Sequence, residues 1–381
     1  MYLFVFFGSI MNHRHKIVHR RNLLLGGAAA VIASVLKPGN ALALTGVAAL
    51  DTPSLKVKAP ARVLLVAVTQ TPGGRLVAVG EHGVIIFSDD NGVTWAQAAV
   101  PVNVTLTCVR FATSMTGWAV GHFGVILNTD DGGATWQMQL DGIQANQLTE
   151  QAAQDPSVAN SPSPGAPLAE KRAEHFLSEG PDKPFLTLLV LEPQKVLAFG
   201  AYRMAMLTED GGKTWCDWSL HIYDRLSHNI YDAQAIGSEY YIVGEMGLVF
   251  CSNDGGNTFL PLTAPENVTL FGILGARNGA LIVFGVAGSA FRSIDGGKSW
   301  TPLVIPTQED LTAGRVLPSG AVVMVSESGL LFESMDNGIT YRAISGVQPQ
   351  PFFDIDIARD GALIAVGAAG ITKISKELFL S

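Results

Sequence analysis

The sequence predicts an all-β fold, a seven-bladed β-propeller of four-stranded blades, on three observations: an eight-residue box written six times, a glycine-bounded hairpin written seven times, and a shared period of about 42 residues. The box reads Ser/Thr-x-Asp-x-Gly-x-Thr/Ser-aromatic and stands at Ser88–Trp95, Thr129–Trp136, Thr208–Trp215, Ser252–Phe259, Ser293–Trp300 and Ser334–Tyr341. Its aspartates, Asp90, Asp131, Asp210, Asp254, Asp295 and Asp336, lie 41 or 44 residues apart, apart from one gap of 79. The hairpins end an apolar strand and read Gly-x-x-Gly: Val79–Gly83, Val120–Gly124, Phe199–Arg203, Val243–Gly247, Phe284–Gly288, Val325–Gly329 and Val366–Gly370. Ser326 replaces the first glycine of the sixth copy and Arg203 the second glycine of the third. One unit is therefore strand, strand, hairpin, strand, box, strand.

In chain order, residues 1–43 hold Arg14, Lys16, Arg20, Arg21 and Lys37 and no acidic residue, followed by an apolar run from Leu23 to Leu36 and by Ala41-Leu-Ala43. A basic region, a short apolar core and an A-x-A site predict a cleaved export signal, since a membrane span needs about twenty apolar residues. Arg20-Arg-Asn-Leu-Leu-Leu25 is similar to a twin-arginine signal, with Sec export as the alternative. Met1 to Ile10 is an apolar prefix, and Met11 suits the start of such a signal better. Residues 44–381 form the propeller. The seventh unit stops before a box, so residues 48–58 are expected to supply a strand that closes the last blade and removes an open edge.

The long gap between boxes marks an insertion at 141–184. Gln144 to Gln154 predicts one helix, Ser157 to Pro167 a Ser/Pro-rich mobile loop, and Leu168 to Glu179 a second helix with Ala169, Ala173, Phe176 and Leu177 on one face. Either a decorative excursion or a partner-docking element fits that pattern.

Without its first 43 residues the chain keeps 20 Lys and Arg against 33 Asp and Glu, which argues against nucleic acid or an anionic lipid surface as its partner. The three cysteines, Cys108, Cys216 and Cys251, are too few for a disulfide scaffold, and each sits in an apolar run that predicts a buried thiol. No cofactor and no metal is expected, because no Cys/His cluster or complete acidic calcium loop occurs.

Six aspartates in glycine-rich turns look like metal or acid/base groups, but repetition around a ring spreads them out. A short carboxylate accepting from its own turn, with glycine at positive φ and a buried aromatic, makes the box structural. Gly211-Gly-Lys-Thr214 and Gly296-Gly-Lys-Ser299 lack the upstream glycine and the following helix of a phosphate-binding loop. The variation lies on the opposite face, in the hairpins and the blade-to-blade loops. The candidate binding face is Glu81, His82, His122, Phe123, Tyr202, Arg203, Tyr223, Arg225, His228, Glu245 and Met246, with His221, Asp224 and Glu327 beside them. No catalytic residue is assigned.

The alternation of V-G-x-x-G with S/T-x-D-x-G-x-T-W over 62–381 resembles the photosystem II stability/assembly factor family of Asp-box propellers. That resemblance implies a non-enzymatic accessory protein that binds a membrane-protein complex from the lumenal or periplasmic side. It is expected to be a periplasmic monomer, peripheral to the membrane at most. The photosynthetic members carry an Arg-rich surface, whereas this chain is acidic, which implies a different client. For the non-photosynthetic relatives the implied partner is an exporter of the resistance-nodulation-division type. Asp boxes also occur in sialidases and other exo-glycosidases, so a hydrolase is the alternative. The chain lacks their Phe-Arg-Ile-Pro motif, and Arg110, Arg203, Arg225 and Arg315 lack matching surroundings. A carbohydrate-binding propeller would need an aromatic platform, for which Phe123, Tyr202 and Tyr223 are available.

Overall fold

The computed structural model of the protein describes residues 47–379, so the export signal read at 1–43 lies outside the described residues. Seven antiparallel sheets follow one another in chain order, six of four strands and the last of three, each with strands in sequential order. This is the seven-bladed all-β propeller. Blade 1 consists of Leu65–Gln70, Leu76–Gly80, Ile85–Ser88 and Ala96–Gln97; blade 7 of Phe352–Ile357, Leu363–Gly367 and Gly370–Ile374. Among the described residues no helix is long and apolar enough to cross a membrane.

The second strand of a blade is covered on both faces, so it reads as a continuous apolar run; Leu76–Gly80, Val196–Gly200, Leu281–Gly285 and Leu363–Gly367 are buried at every residue. The core is a ring of clusters between neighbours. Leu197, Phe199, Ile242 and Phe259 join blades 3 and 4, and Leu65, Ala78, Ile86, Ile364 and Val366 join blades 1 and 7. Each inner strand carries a bulge after its first residue, and the bulged second residue is half-buried in every blade.

The boxes behave as structural fasteners. In the third, Asp210 Oδ1 accepts from Thr214 N at 2.9 Å and Oδ2 from Thr214 Oγ1 at 2.6 Å, while Thr208 Oγ1 donates to Asp210 at 2.9 Å and accepts from Gly212 N at 2.8 Å. Gly212 takes φ 87° there, a region that disfavours any side chain. The same carboxylate-to-Thr/Ser bonds recur at Asp90, Asp131, Asp254, Asp295 and Asp336. These bonds, led by the Thr or Ser hydroxyl, lower the acids of Asp90, Asp210 and Asp295 from 3.8 to about 2. Because the folded pKa is depressed, the stabilisation is complete above the unfolded value and vanishes as pH falls through the folded one. Urea midpoints should therefore hold above pH ~4 and fall steeply toward pH ~2; an unchanged midpoint across that window would contradict the assignment.

Ring closure differs from the expected fourth strand. Residues 49–57 run along blade 1, with Ser54 N donating to Val100 O (3.0 Å), Leu55 N to His82 O (3.2 Å) and Asn103 N to Ala49 O (2.8 Å). The Gln97 side chain accepts from Val57 N (3.1 Å) and donates to Leu55 O (2.7 Å), which substitutes for a strand ladder. Pro53 within the segment and Pro60 just after it lack a ladder donor. The last blade meets the first through the 3-10 turn Pro60–Arg62: a Cβ at Gly370 would lie 2.1 Å from Ala61 O. On the axis side Asp354 Oδ2 accepts from Val68 N (3.0 Å) and Asp356 Oδ2 from Gln70 N (2.7 Å).

The insertion forms α1 (Gly142–Ala153), two 3-10 turns (Pro156–Asn160 and Ala166–Leu168) and α2 (Ala169–Glu179). Asp141 caps α1 in a capping box with Gln144. Ala169, Ala173 and Phe176 are buried as the periodicity requires, but Leu177 is 41% exposed. Of the three thiols only Cys108 is buried; Cys251 is half-buried and Cys216, in a short outer strand, is exposed.

Candidate functional site: the hairpin face

At the hairpin tips the second strand ends on a glycine because backbone passes close by: a Cβ at Gly80 would lie 2.1 Å from Leu64 O. The residue two positions on is left-handed, with φ 56° at His82, 56° at Phe123, 53° at Tyr202, 52° at Met246 and 52° at Ala287. Recurrence in five blades makes this a property of the hairpin rather than of a site. It nonetheless holds those side chains on one face, and that face is where the repeats diverge.

The structure draws the third and fourth units together through one residue that the sequence reading missed. Asn229 Oδ1 accepts from Tyr202 N (2.8 Å), and Glu245 accepts from Asn229 N (2.9 Å) and Nδ2 (3.0 Å). Tyr231, at the bulge position, lies 3.4 Å from Glu245 and packs edge-on against Phe271 at 5.6 Å. A signal for Asn229 exists: it precedes an inner strand, as does Asp310, whose carboxylate accepts from Ala287 N at 2.8 Å in the equivalent place. Tyr231, Phe271 and Phe353 occupy equivalent bulge positions of blades 4, 5 and 7, an aromatic pattern visible once the bulge is known.

Of the predicted residues, Arg225 is exposed, with Leu226 beside it 70% exposed and Met246 54% exposed. Asp224 pairs with His228 (3.2 Å from Nδ1) and accepts its amide (2.8 Å). That hydrogen bond raises the His228 pKa against the opposing effect of burial. Arg203 is 1% exposed, enclosed by the insertion, and Tyr202 packs edge-on against Phe176 of α2 at 6.3 Å. Phe123 lies under the start of α1, where a Cβ at Gly142 would sit 2.7 Å from its carbonyl. Burial lowers the His122 pKa. Glu81 and His82 stand apart on blade 1, where His82 Nδ1 lies 3.2 Å from Asn103 Oδ1.

Two residues sit elsewhere than expected. His221 stacks on Trp218 at 3.5 Å and bonds Asn257 O at 2.7 Å, so it belongs beside the fourth box. Tyr223 N donates to Phe259 O at 3.0 Å, and its ring packs between blades 3 and 4. In both cases the blade-to-blade loop first follows the neighbouring box, as the bridge between Ile222 and Phe259 records. The opposite face has a cavity of about 670 Å³ lined by Gln234, Gly237, Tyr241, Leu274 and Arg277, and a smaller one of about 240 Å³ around Arg75, Asp89 and Arg359. Among the described residues no group of three or more His, Cys, Asp or Glu could hold a metal ion.

Fold and face together define a seven-bladed Asp-box propeller whose hairpin face is individual to blades 3 and 4. The chain belongs to the family described as photosynthesis system II assembly factor YCF48, whose model matches residues 88–154 and 182–370. It is 32% identical over 94 residues to the photosystem II assembly lipoprotein Ycf48 of Synechococcus sp. (strain CC9902), an alignment spanning 24% of this chain and 28% of that one. Two solved structures share the fold. YCF48 bound to D1 peptide has TM-score 0.60 and 18% identity, covering 85% of this chain and 99% of that one. YCF48 from Cyanidioschyzon merolae has TM-score 0.60 and 15% identity, covering 84% and 97%.

Proposed function

We propose that the protein is a non-enzymatic accessory or assembly factor of the cell envelope that holds a segment of a membrane-protein complex against its hairpin face. The observation that carries this reading is the asymmetry of that face. Blades 3 and 4 present exposed Leu226, Met246 and Arg225 around a tied polar network, whereas the hairpins of blades 5 and 7 carry only Val286, Ala287, Ala368 and Ala369. Exposed apolar side chains beside an arginine on a rigid base suit an extended segment of another protein. Family membership supports the reading, as does the D1 peptide bound to one structural relative. The export signal read at 1–43 supports a periplasmic location, and an exporter of the resistance-nodulation-division type is the proposed client.

The test is crosslinking and capture from detergent-solubilised envelopes with the wild type, Leu226→Asp, Met246→Asp and, on the box face, Ile294→Asp. Ile294 is 78% exposed, so its variant controls for surface apolarity. One dominant membrane protein should be recovered with the wild type and with Ile294→Asp. Its affinity should fall about thirtyfold or more with each hairpin-face variant, the scale of an interface hot spot. Equal recovery by all four proteins would refute the assignment of the face.

A further inference from the structure

Arg203 departs from the repeat at one of the two hairpins that the insertion covers. Its sister positions hold Gly83, Gly124, Gly247, Gly288, Gly329 and Gly370, all at positive φ, and Arg203 takes the same left-handed backbone with φ 59°. A bulky residue is strained there, and the strain is not offset by solvation, because the side chain is 1% exposed. Its guanidinium donates to the main-chain carbonyl of Asp224 and meets no carboxylate within ion-pair distance among the described residues. A second buried arginine stands beside it: Arg172 of α2, its side chain 9% exposed, donates to Arg203 O at 3.4 Å, pairs with Asp217 at 3.4 Å and donates to Ser219 Oγ. Burial first, and Arg172 next, lower the Arg203 pKa to about 10.

Nine buried side-chain polar atoms among the described residues have no hydrogen-bond partner, and four of them belong to this one junction: Arg203 Nε, Arg172 Nε, Ser163 Oγ and His228 Nε2. Buried donors of this kind are rare in folded proteins, and an unpaired buried cation is the costliest of them. We infer that the junction between the insertion and blade 3 is a binding site for a small oxyanion, a carboxylate or phosphate group, held by Arg203 and Arg172. A guanidinium suits such planar or tetrahedral oxygens; Arg203 offers its unpartnered Nε, and Arg172, whose Nη2 is engaged by Asp217 and Ser219, adds its Nε. The turn at Ser163–Gly165 covers the site, since a Cβ at Gly165 would lie 2.1 Å from Arg203 Nη1, so the anion enters by lifting that turn. The site stands whether or not the hairpin face binds a membrane protein.

The experiment is thermal unfolding and calorimetric titration of the purified chain with sodium phosphate, sulfate or acetate, ionic strength being held constant with chloride. In the wild type at least one oxyanion should give saturable binding and a matching rise in Tm. Arg203→Gly restores the residue of the sister hairpins, so it folds, and without oxyanion it should be no less stable than the wild type while losing the response. Arg172→Gln should weaken binding about tenfold to a hundredfold, the worth of a hydrogen bond to a charged group. A response to phosphate and sulfate alone identifies a tetrahedral ligand and a response to acetate a carboxylate; both support the site. No saturable response in the wild type, or the same response in Arg203→Gly, overturns it.

Discussion

Replacing Asp354 by alanine is expected to lower the unfolding free energy by about 3–5 kcal/mol, because it removes one partner of a largely buried charge pair and strips two amides at the seam where the ring closes. Asp354 accepts from Val68 N of blade 1 (3.0 Å), from Ile355 N beside it (2.9 Å) and from Arg315 Nη2 of blade 6 (3.2 Å), with its side chain 13% exposed. One carboxylate thus joins three blades. The inner strands of a propeller do not pair across blades, so their axis-facing amides need side-chain acceptors. Asp232 does the same between blades 4 and 5, accepting from Ile273 N at 3.1 Å, and Thr107 donates to Phe185 O at 2.7 Å between blades 2 and 3. The closing seam depends on these bonds more than the others do, since no covalent chain crosses from blade 7 to blade 1 and no fourth strand seals it among the described residues. Urea denaturation of Asp354→Ala and of Asp89→Ala, whose side chain is 62% exposed and paired to Arg75 at the surface, makes the comparison. The surface variant should lose no more than about 1 kcal/mol. Equal midpoints would show that the axis carboxylate carries no part of closure.

The boxes and hairpins were legible because each encodes its structure within eight residues: Asp210, Thr208, Gly212 and Thr214 satisfy one another locally, so the pattern needs no tertiary context. Blade count and strand order followed from that, while the two insertion helices were read from their own apolar spacing and flanking Pro and Gly. What was illegible depended on contacts between distant residues. The path of residues 49–57 is decided by the Gln97 side chain forty residues away from Val57. Arg203 read as a residue of the binding face because its hairpin position lies there in every blade. Only the fold shows that α2 and the Ser163–Gly165 turn close over it. Phe271 escaped because the inner-strand bulge has no sequence signature of its own, and Asn229 because its parallel with Asp310 appears only once the inner strands are placed. Cys216 was misjudged because a two-residue outer strand does not bury its side chains.

Phe176→Ala is expected to cost about 3–5 kcal/mol of global stability, the range for deleting a buried aromatic ring. This figure decides between the two readings of the insertion. A surface excursion would unfold on its own, leaving the propeller's midpoint unchanged. Phe176 is 1% exposed and belongs to the same cluster as Trp118, Phe185, Met204, Met206 and Trp215, which fills the layer between blades 2 and 3. Its ring also receives Arg172 Cζ and Lys183 Nζ, each at 5.3 Å, and the latter cation is itself buried. Removing the ring therefore deprives two cations of a partner worth about 0.5–2 kcal/mol each, which places the loss toward the upper end. Leu177, the next residue on the helix and 41% exposed, is the control, and Leu177→Ala should stay within about 0.5 kcal/mol. If blade 3 and the insertion share one cooperative unit, the Phe176→Ala transition remains single, with intrinsic tryptophan fluorescence and backbone circular dichroism shifting together to a lower urea midpoint. Two separated transitions, the earlier confined to the helical signal, would instead detach the insertion from the ring.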